Sequence, residues 1–299
     1  MFLFVSGLSF SEKWRSAFIR TTSGILGQSK MASTSPCCPP DAWGACSAPS
    51  EYVNKGVRTQ LGPKLSAFVS KPADNSSPTK AIVVIPDIFG IDSGRTRAIC
   101  DDFAQRLGCV VVLPLFLETL GGAWPSEWGM PNQPWYNLLW FIPWLIRMNL
   151  NKTGPLVDSE LMPYLKSQGI SEFAVTSFCW GATVGAYLST LPECRGQISF
   201  HPSYNALGPS FGPSQSQLLS KITCKQLYLP GANDQAYPGC EAQKIIQNVA
   251  KQECEVIVFD KQVHGWVNRG DVTKPAVVGD VERALKLAED FLKQVLQIQ

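Results

Sequence analysis

The fold is decided by the stretch Val175-Thr176-Ser177-Phe178-Cys179-Trp180-Gly181-Ala182. A short apolar run precedes it, and a helix-like pattern of small residues follows it. Its Ser-x-Cys-x-Gly pattern resembles the Gly-x-nucleophile-x-Gly of a nucleophile elbow, a sharp turn between a strand and a helix with a reactive side chain at its tip. The N-terminus of the helix would favour a negative charge on the Cys179 sulfur, and the thiolate is the reactive form. The stretch therefore predicts a reactive cysteine; the alternative is an inert cysteine in a buried strand.

Strand-like and helix-like segments alternate along the rest of the chain. Continuous apolar runs at residues 81–86 and 109–114 predict strands that are buried on both faces. The helical pattern over residues 96–107 ends at Gly108. Further strands are predicted at residues 65–71, 197–200, 226–230 and 255–259, and further helices at 155–168, 241–251 and 277–297. The alternation predicts an α/β fold with a mostly parallel sheet of about seven or eight strands and helices on both faces.

Composition narrows the class of protein. The chain has 299 residues, of which 45% are hydrophobic and 17% charged, so it can build a sizeable core. A net charge of +2, without a basic run, predicts no nucleic-acid partner. The ten cysteines lack the spacing of a small disulfide framework, which favours reduced thiols in the cytoplasm. Because the chain has two histidines and no second cysteine pair to match Cys37, Cys38 and Cys46, we predict neither a metal nor another cofactor.

The N-terminus allows two interpretations. Residues 1–30 contain four basic side chains against the single acid Glu12, together with several Ser and Thr, which is typical of a mitochondrial or plastid transit peptide. Alternatively, translation begins at Met31. We predict that residues 1–34 are a disordered or transit-like leader and that residues 35–299 form one α/β domain, with residues 31–60 as an irregular lead-in.

Residues 119–150 interrupt the alternation. They are rich in Gly, Pro and Trp and include an apolar run that Pro143 breaks. Since a membrane span needs about 20 apolar residues, we predict no stable membrane insertion. Three interpretations stay open: an ordinary buried helix, a cap or lid that gives a binding site an apolar wall, and a contact with a membrane surface. As a cap, the segment would place Trp124, Trp135 or Trp140 near a substrate.

A cysteine nucleophile needs a base, and the base needs an acid to orient it. His264 follows the strand predicted at 255–259, and Asp234 follows the one at 226–230. The chain order of nucleophile, acid and histidine is that of the α/β-hydrolase fold. His201 also follows a predicted strand and is the rival base, but it precedes Asp234, so we assign it to the wall of the pocket or to a structural role.

Four motifs together resemble the dienelactone hydrolase family, also called carboxymethylenebutenolidases. They are Pro86-Asp87-Ile88-Phe89-Gly90, Phe178-Cys179-Trp180-Gly181, Asn233-Asp234 and His264-Gly265-Trp266-Val267-Asn268-Arg269. The resemblance runs from about residue 35 to the C-terminus. It implies an α/β-hydrolase that cleaves esters or lactones through a triad of Cys179, Asp234 and His264 and a thioester acyl-enzyme.

The resemblance also implies the surroundings of the triad. The backbone N–H groups of Ile88 and Trp180 would form the oxyanion hole. Asp87 stands where bacterial members usually have a Glu that contacts the resting nucleophile, and Arg269 matches an arginine that can hold a substrate carboxylate. The family's other substrate arginine has no counterpart, because Leu115-Phe116-Leu117 stands in its place. Ser177 and Ala182 replace glycines of the family's elbow.

These departures predict that the small-molecule partner is a less acidic, more apolar ester or lactone. We expect the protein to be a monomer or a homodimer. The alternative is a non-hydrolytic member of the family that acts as a thiol redox sensor or as a scaffold that binds small molecules. A redox protein would need a second cysteine near Cys179, and the sequence does not obviously place Cys194 or Cys224 there.

Overall fold

The computed structural model of the chain describes residues 39, 41–46, 52–73, 78–131, 135–204 and 212–298. Within these ranges the chain forms one eight-stranded sheet. Its strands are β1 (Val57–Gln60), β2 (Ser66–Ser70), β3 (Lys80–Ile85), β4 (Val110–Pro114), β5 (Glu172–Phe178), β6 (Cys194–Phe200), β7 (Lys225–Leu229) and β8 (Cys254–Val256). The leader predicted at residues 1–34, together with Cys37 and Cys38, lies outside the described residues, and the predicted domain boundary stays a prediction.

The strands lie in the order β1-β2-β4-β3-β5-β6-β7-β8. β1 pairs with β2 and β2 with β4 in antiparallel fashion, and the remaining neighbours are parallel. The carboxyl ends of β3 to β8 therefore meet at one edge of the sheet, where loops carry ligands in folds of this kind. The predicted α/β fold with a mostly parallel sheet is confirmed.

Helices cover both faces of the sheet. They are α1 (Thr96–Leu107), α2 (Phe116–Thr119), α3 (Leu138–Arg147), α4 (Leu150–Leu156), α5 (Met162–Ser167), α6 (Gly181–Leu188), α7 (Gln215–Leu219), α8 (Glu241–Asn248), α9 (Trp266–Arg269) and α10 (Pro275–Leu296). Ile82 and Val84 of β3 face one core with residues of α1 and α10, whereas Val83 and Ile85 face the other with residues of α6 and α8. This alternation is why the strand reads as a continuous apolar run.

The structure departs from the predicted elements at three places. β1 lies in the predicted irregular lead-in, because its Val57-Arg58-Thr59-Gln60 sequence is mostly exposed at the sheet edge and carries no apolar pattern. The strand predicted at 255–259 ends early at Val256, and Phe259 makes only an isolated bridge with Gly231. The helix predicted at 155–168 is α5 preceded by a π-helical segment, Val157–Leu161, that continues from α4.

The apolar insertion forms α3, which has two apolar faces. Phe141, Trp144 and Leu145 are buried against the rest of the domain, while Leu139 and Trp140 are 64% and 61% exposed. Pro143 lies inside the helix. None of the described helices has the length and apolarity needed to cross a membrane.

Candidate active site

Cys179 is at the tip of a tight turn between β5 and α6. Its φ of 51° lies in the left-handed region, which costs a non-glycine residue on the order of 1–3 kcal/mol. Backbone hydrogen bonds hold the turn: the Cys179 N–H donates to the Phe200 carbonyl (3.2 Å), and the Cys179 carbonyl accepts from Ala182 (3.0 Å) and Ser203 (3.1 Å). The side chain is fully buried. This geometry is that of the elbow that the sequence predicts.

The two positions flanking the turn have different physical requirements. A Cβ atom on Gly181 would lie 2.6 Å from the carbonyl oxygens of both Ile85 and Pro86, so no side chain fits there. By contrast, Ser177 is accommodated in a buried polar cluster, where its Oγ accepts from Gln197 Nε2 (3.1 Å) and lies 3.0 Å from Ser199 Oγ. The hydroxyl that replaces the family's first elbow glycine is thus hydrogen-bonded and leaves the turn intact.

His264 and Asp234 form a buried pair at the same sheet edge. His264 Nδ1 lies 2.5 Å from Asp234 Oδ1, and both side chains are almost completely buried. Asp234 Oδ2 accepts from the Gly231 N–H (2.7 Å), and Asn233 Oδ1 accepts from the His264 N–H (2.7 Å). His264 Nε2 is buried and has no hydrogen-bond partner among the described residues. With Nδ1–H directed at the carboxylate, Nε2 has its lone pair available to accept a proton.

His201 lies beside this pair. Its ring centroid is 4.8 Å from that of His264, in an edge-to-face arrangement, and its backbone follows Phe200, which bonds Cys179. Burial, followed by electrostatic interactions with His264 and Arg269, lowers the pKa of His201 well below its usual value, so the ring is neutral. His201 is thus a neutral aromatic side chain packed against His264, and its predicted place in the wall of the pocket stays a prediction.

The two residues predicted to supply the oxyanion hole are buried. Ile88 follows β3 and Trp180 follows Cys179, and both residues are buried. Neither N–H donates to the main chain of the described residues. Buried N–H groups without a main-chain partner are what an oxyanion would require.

Asp87 is the centre of a buried polar cluster. Its Oδ1 accepts from the Phe89 N–H (2.9 Å), and its Oδ2 accepts from Ser93 Oγ (2.9 Å) and Asn268 Nδ2 (2.8 Å). Arg269 Nε lies 3.0 Å from Oδ2 as an ion pair, although that N–H is not aligned for a hydrogen bond. The carboxylate is therefore held towards α9, and the prediction that Asp87 belongs to the substrate-binding residues stays a prediction.

Arg269 is not an exposed receptor for carboxylates. Its side chain is fully buried, pairs with Asp87, donates through Nη1 to the Trp43 carbonyl and stacks on Phe89 with 5.0 Å between Cζ and the ring centroid. Gly265 makes room for it, because a Cβ there would lie 2.3 Å from Nη2. The charge of Arg269 is thus already balanced within the fold, and its predicted role towards a substrate carboxylate stays a prediction.

Replacing Arg269 with methionine is expected to lower the free energy of unfolding by about 3–5 kcal/mol, because it leaves the Asp87 carboxylate buried without its counter-charge. Urea unfolding measures the change. The matched control is Arg106→Met, which removes a 58% exposed guanidinium from Asp102 and from Glu289. Because Glu289 keeps Lys286 and Lys293 as partners, this change should cost at most about 1 kcal/mol. Equal effects of the two variants would mean that the buried pair contributes little.

Sequence reasoning missed the part played by residues 41–46. Asp41 Oδ1 accepts from Asn233 Nδ2 (2.6 Å), the Trp43 N–H donates to the His264 carbonyl (2.8 Å), and the Cys46 carbonyl accepts from the Gly94 N–H (2.8 Å). The segment thereby ties the loops of the acid and the histidine together. It has no periodic pattern, so only its position in space reveals this role.

The insertion places tryptophan side chains near the elbow at different depths, and their predicted contact with a substrate stays a prediction. Trp144 contacts Trp180 with ring centroids 6.1 Å apart, and Trp124 packs behind Trp144 at 6.4 Å. Trp140 is on the outer face of α3 and contacts Trp128, whereas the side chain of Trp135 lies outside the described part of the structure. Trp144, which the sequence did not single out, is therefore nearer to the elbow than Trp140.

A cavity of about 130 Å³ adjoins Trp180 at the carboxyl ends of β3 and β4. Its lining is mostly apolar, with two acidic residues and, within the described chain, no basic one: Pro86, Phe89, Gly90, Ile91, Asp92, Pro114, Leu115, Phe116, Leu117, Glu118, Ala123 and Trp180. Neither Cys179 nor His264 lines it directly. Neither Trp124 nor Trp140 does so, and Trp144 lies between Trp124 and the lining residue Trp180.

The described residues contain no group of three or more His, Cys, Asp or Glu side chains arranged to hold a metal ion. Cys46 is the one member of the N-terminal cysteine group that the structure describes, and its Sγ lies 3.5 Å from the Arg269 carbonyl. The expectation of a site without a metal or other cofactor stays a prediction.

The strand order places the chain among the α/β-hydrolases. The elbow at the carboxyl edge of the sheet and the histidine paired with Asp234 at the same edge agree with this class. Residues 65–296 match the dienelactone hydrolase family, so the chain belongs to that family. This confirms the resemblance that the four motifs carry and supports a hydrolase function.

Relatives and solved structures agree with this assignment. The chain is 27% identical over 234 residues to a carboxymethylenebutenolidase homolog of Xenopus tropicalis and 27% identical over 225 residues to that of Homo sapiens; each match covers 73% of this chain and 82% of the relative. A protein assigned as a dienelactone hydrolase from Klebsiella pneumoniae matches with a TM-score of 0.60 at 16% identity, covering 79% of this chain and 98% of that one. A dienelactone hydrolase-like promiscuous phosphotriesterase from metagenomic libraries matches with a TM-score of 0.53 at 15% identity, covering 83% and 99%. At these identities the two structures support the fold alone.

Proposed function

We propose that the protein hydrolyses esters or lactones with Cys179 as nucleophile, His264 as general base and acid, and Asp234 as the residue that orients the histidine. The observation that carries the proposal is the buried Asp234–His264 pair, whose Nε2 has no partner in the described chain, at the sheet edge where the elbow presents Cys179. A histidine held by a carboxylate in this way is suited to move a proton to and from a nucleophile.

The reaction would proceed in two halves. The Cys179 sulfur, deprotonated by His264, attacks the carbonyl carbon, and the N–H groups of Ile88 and Trp180 stabilise the oxyanion. Collapse of this intermediate breaks the ester C–O bond, His264 protonates the leaving alkoxide, and a thioester forms. Water that gives its proton to His264 then attacks the thioester and releases the acid and the thiol. In a lactone the alcohol and the acid stay in one molecule.

The proposal extends to partners and location. The partner is a small ester or lactone, the protein acts as a monomer or homodimer without nucleic acid, and the cytoplasm is the expected compartment. The redox-sensor alternative called for a second cysteine near Cys179, but Cys194 and Cys224 lie at the amino ends of β6 and β7, away from the carboxyl edge.

We expect neutral, apolar esters to be hydrolysed with a kcat/KM at least as high as that of their carboxylated analogues. The cavity beside Trp180 is lined by apolar side chains and by the acids Asp92 and Glu118. Their partners Arg97 and Arg58 do not line it, so the described lining offers a carboxylate no basic group. Steady-state kinetics with a neutral ester and a carboxylated analogue of the same leaving group measures the ratio.

Glu118→Gln supplies the matched comparison. Glu118 is 37% exposed and pairs with the exposed Arg58, so its removal should leave the fold intact. It should raise the relative rate for the carboxylated analogue a few-fold, because it removes a negative charge from the lining and leaves Arg58 without its partner. A change of roughly 1 kcal/mol corresponds to about fivefold. Activity confined to the carboxylated compound in the wild type would contradict the apolar preference while leaving the triad untouched.

A further inference from the structure

Cys194 and Cys224 form a close pair of thiols outside the candidate active site. Cys194 begins β6 and Cys224 immediately precedes β7, so the pair is at the amino ends of two neighbouring parallel strands. The two sulfur atoms are 3.6 Å apart, and the residues are separated by 30 positions in the chain. The mechanism proposed above uses neither of them.

The backbone allows the two sulfurs to join. Gly196 pairs with Lys225 in the β6–β7 register, which leaves Cys194 and Cys224 one residue out of register on adjacent strands. Regular strands would turn side chains one residue out of register to opposite faces, but the β5–β6 ladder shifts register at Cys194, and Cys224 lies before the first residue of β7. The two sulfur atoms therefore meet, 3.6 Å apart, and closing to a bond of about 2.05 Å needs only a small side-chain movement.

The surroundings make the two sulfurs unequal. The Cys224 thiol donates to Cys194 Sγ (3.6 Å) and lies 3.8 Å from the Ser189 carbonyl, and its sulfur accepts from Gln226 Nε2 (3.5 Å). The hydrogen bond with Cys194, together with polar contacts to Ser189 and Gln226, lowers the pKa of Cys224, whereas burial raises the pKa of Cys194 well above its usual value. Cys224 is also the more accessible of the two, at 5% exposure against 2%. Cys224 is therefore the sulfur that would react first with an oxidant.

We propose that Cys194 and Cys224 are a redox-modification site that closes to a disulfide when the protein meets a hydroperoxide. The Cys224 thiolate attacks the outer oxygen of the peroxide, giving a sulfenic acid and releasing water or an alcohol. The Cys194 sulfur then attacks the sulfur of that sulfenic acid and displaces its hydroxide. The hydroxide takes the proton of the Cys194 thiol and leaves as water. Two thiols lose two electrons and two protons, and the peroxide O–O bond is reduced. A dithiol reductant reverses the step by thiol–disulfide exchange.

The test is oxidation of the folded, full-length protein with hydrogen peroxide, followed by alkylation of the remaining thiols and mass spectrometry without reduction. Digestion after Glu193, Arg195, Lys221 and Lys225 releases Cys194-Arg195 and Ile222-Thr223-Cys224-Lys225 and separates both from Cys179. The expected result is a linked pair of these two peptides that is lost on treatment with a dithiol. Failure of the proposed hydrolase function would leave this result unchanged, because the assay does not depend on catalysis.

Cys194→Ser and Cys224→Ser should each abolish the link. The matched control is Cys109→Ser, another buried cysteine beside a different strand, which should retain it. Because a serine could disturb a buried position, the melting temperatures of the oxidised and the reduced wild-type protein are also compared. The oxidised form should melt several degrees higher, since a cross-link between residues 30 positions apart restrains the unfolded chain. Oxidation of Cys224 to sulfenic or sulfinic acid without a link, or a link that forms only after denaturation, would overturn the proposal.

Discussion

Replacement of Cys179 by alanine is expected to reduce the hydrolysis of an activated ester on the order of 10⁴–10⁶-fold, a loss that removal of a covalent nucleophile can cause. Cys179 is at the only elbow that the described residues contain between a central parallel strand and a helix, and its left-handed φ of 51° fits that role. A side chain without a nucleophile cannot form the acyl-enzyme, so binding and the oxyanion donors alone would remain. Steady-state rates measured with the same ester in both proteins test the change.

Two further variants separate chemistry from folding. Cys179→Ser should retain a small residual rate, because a hydroxyl is less acidic than a thiol and harder to activate. Cys109→Ala removes a different buried thiol and should leave the rate near that of the wild type. Circular dichroism should show that all three proteins are folded. A wild-type rate in Cys179→Ala would remove this residue from the mechanism.

Replacement of His264 by alanine is expected to reduce kcat/KM on the order of 10²–10⁴-fold, and replacement of His201 by alanine is expected to cost much less. Both histidines are buried at the same edge of the sheet, with ring centroids 4.8 Å apart. Each variant therefore controls for the loss of a buried imidazole at this edge. They differ in support: His264 Nδ1 lies 2.5 Å from the Asp234 carboxylate, while both ring nitrogens of His201 lack a hydrogen-bond partner among the described residues.

The pKa of His201 strengthens this expectation. Burial lowers it well below the usual value, so His201 is a weak base that remains neutral through the physiological range. Rates for both variants at several pH values test the ranking. A larger loss in His201→Ala would identify His201 as the base and would contradict the assignment of His264.

Strands buried on both faces could be predicted from the sequence because they read as continuous apolar runs. β3 and β4 lie within one residue of their predicted positions. β1 was missed because Arg58, Thr59 and Gln60 are polar. The strand lies at an edge of the sheet, where it has one neighbouring strand and is mostly exposed to solvent. The order of the strands was not predictable from the runs themselves, since pairing depends on contacts between distant parts of the chain.

The candidate site was predictable where its chemistry is local in sequence. Cys179, Asp234 and His264 each follow a predicted strand, and parallel strands bring such positions to one edge. The surroundings were less predictable because they rest on long-range contacts. Trp43 and Asp41, which bind the loops of His264 and Asn233, come from a segment without pattern some 190 to 220 residues earlier in the chain.

The environment of the charged side chains near the site was also not predictable from the sequence. Sequence resemblance suggested a substrate contact for Arg269, yet the structure surrounds its guanidinium with Asp87, the Trp43 carbonyl and the Phe89 ring. Only the three-dimensional position reveals that the positive charge is already compensated. An arginine at a motif position can therefore stabilise a loop and be absent from the surface that a substrate meets.

The central claim is that Cys179 forms a thioester with the acyl group, and rapid acid quenching tests it most directly. The protein would be mixed with an activated ester that has a slowly hydrolysed acyl group, quenched at low pH and digested. Mass spectrometry would then give the mass of the peptide that contains Cys179. We expect the mass of one acyl group on that peptide, lost on treatment with hydroxylamine and absent in Cys179→Ala. Turnover of the ester without an acyl group on Cys179, or with the group on another side chain, would contradict the mechanism.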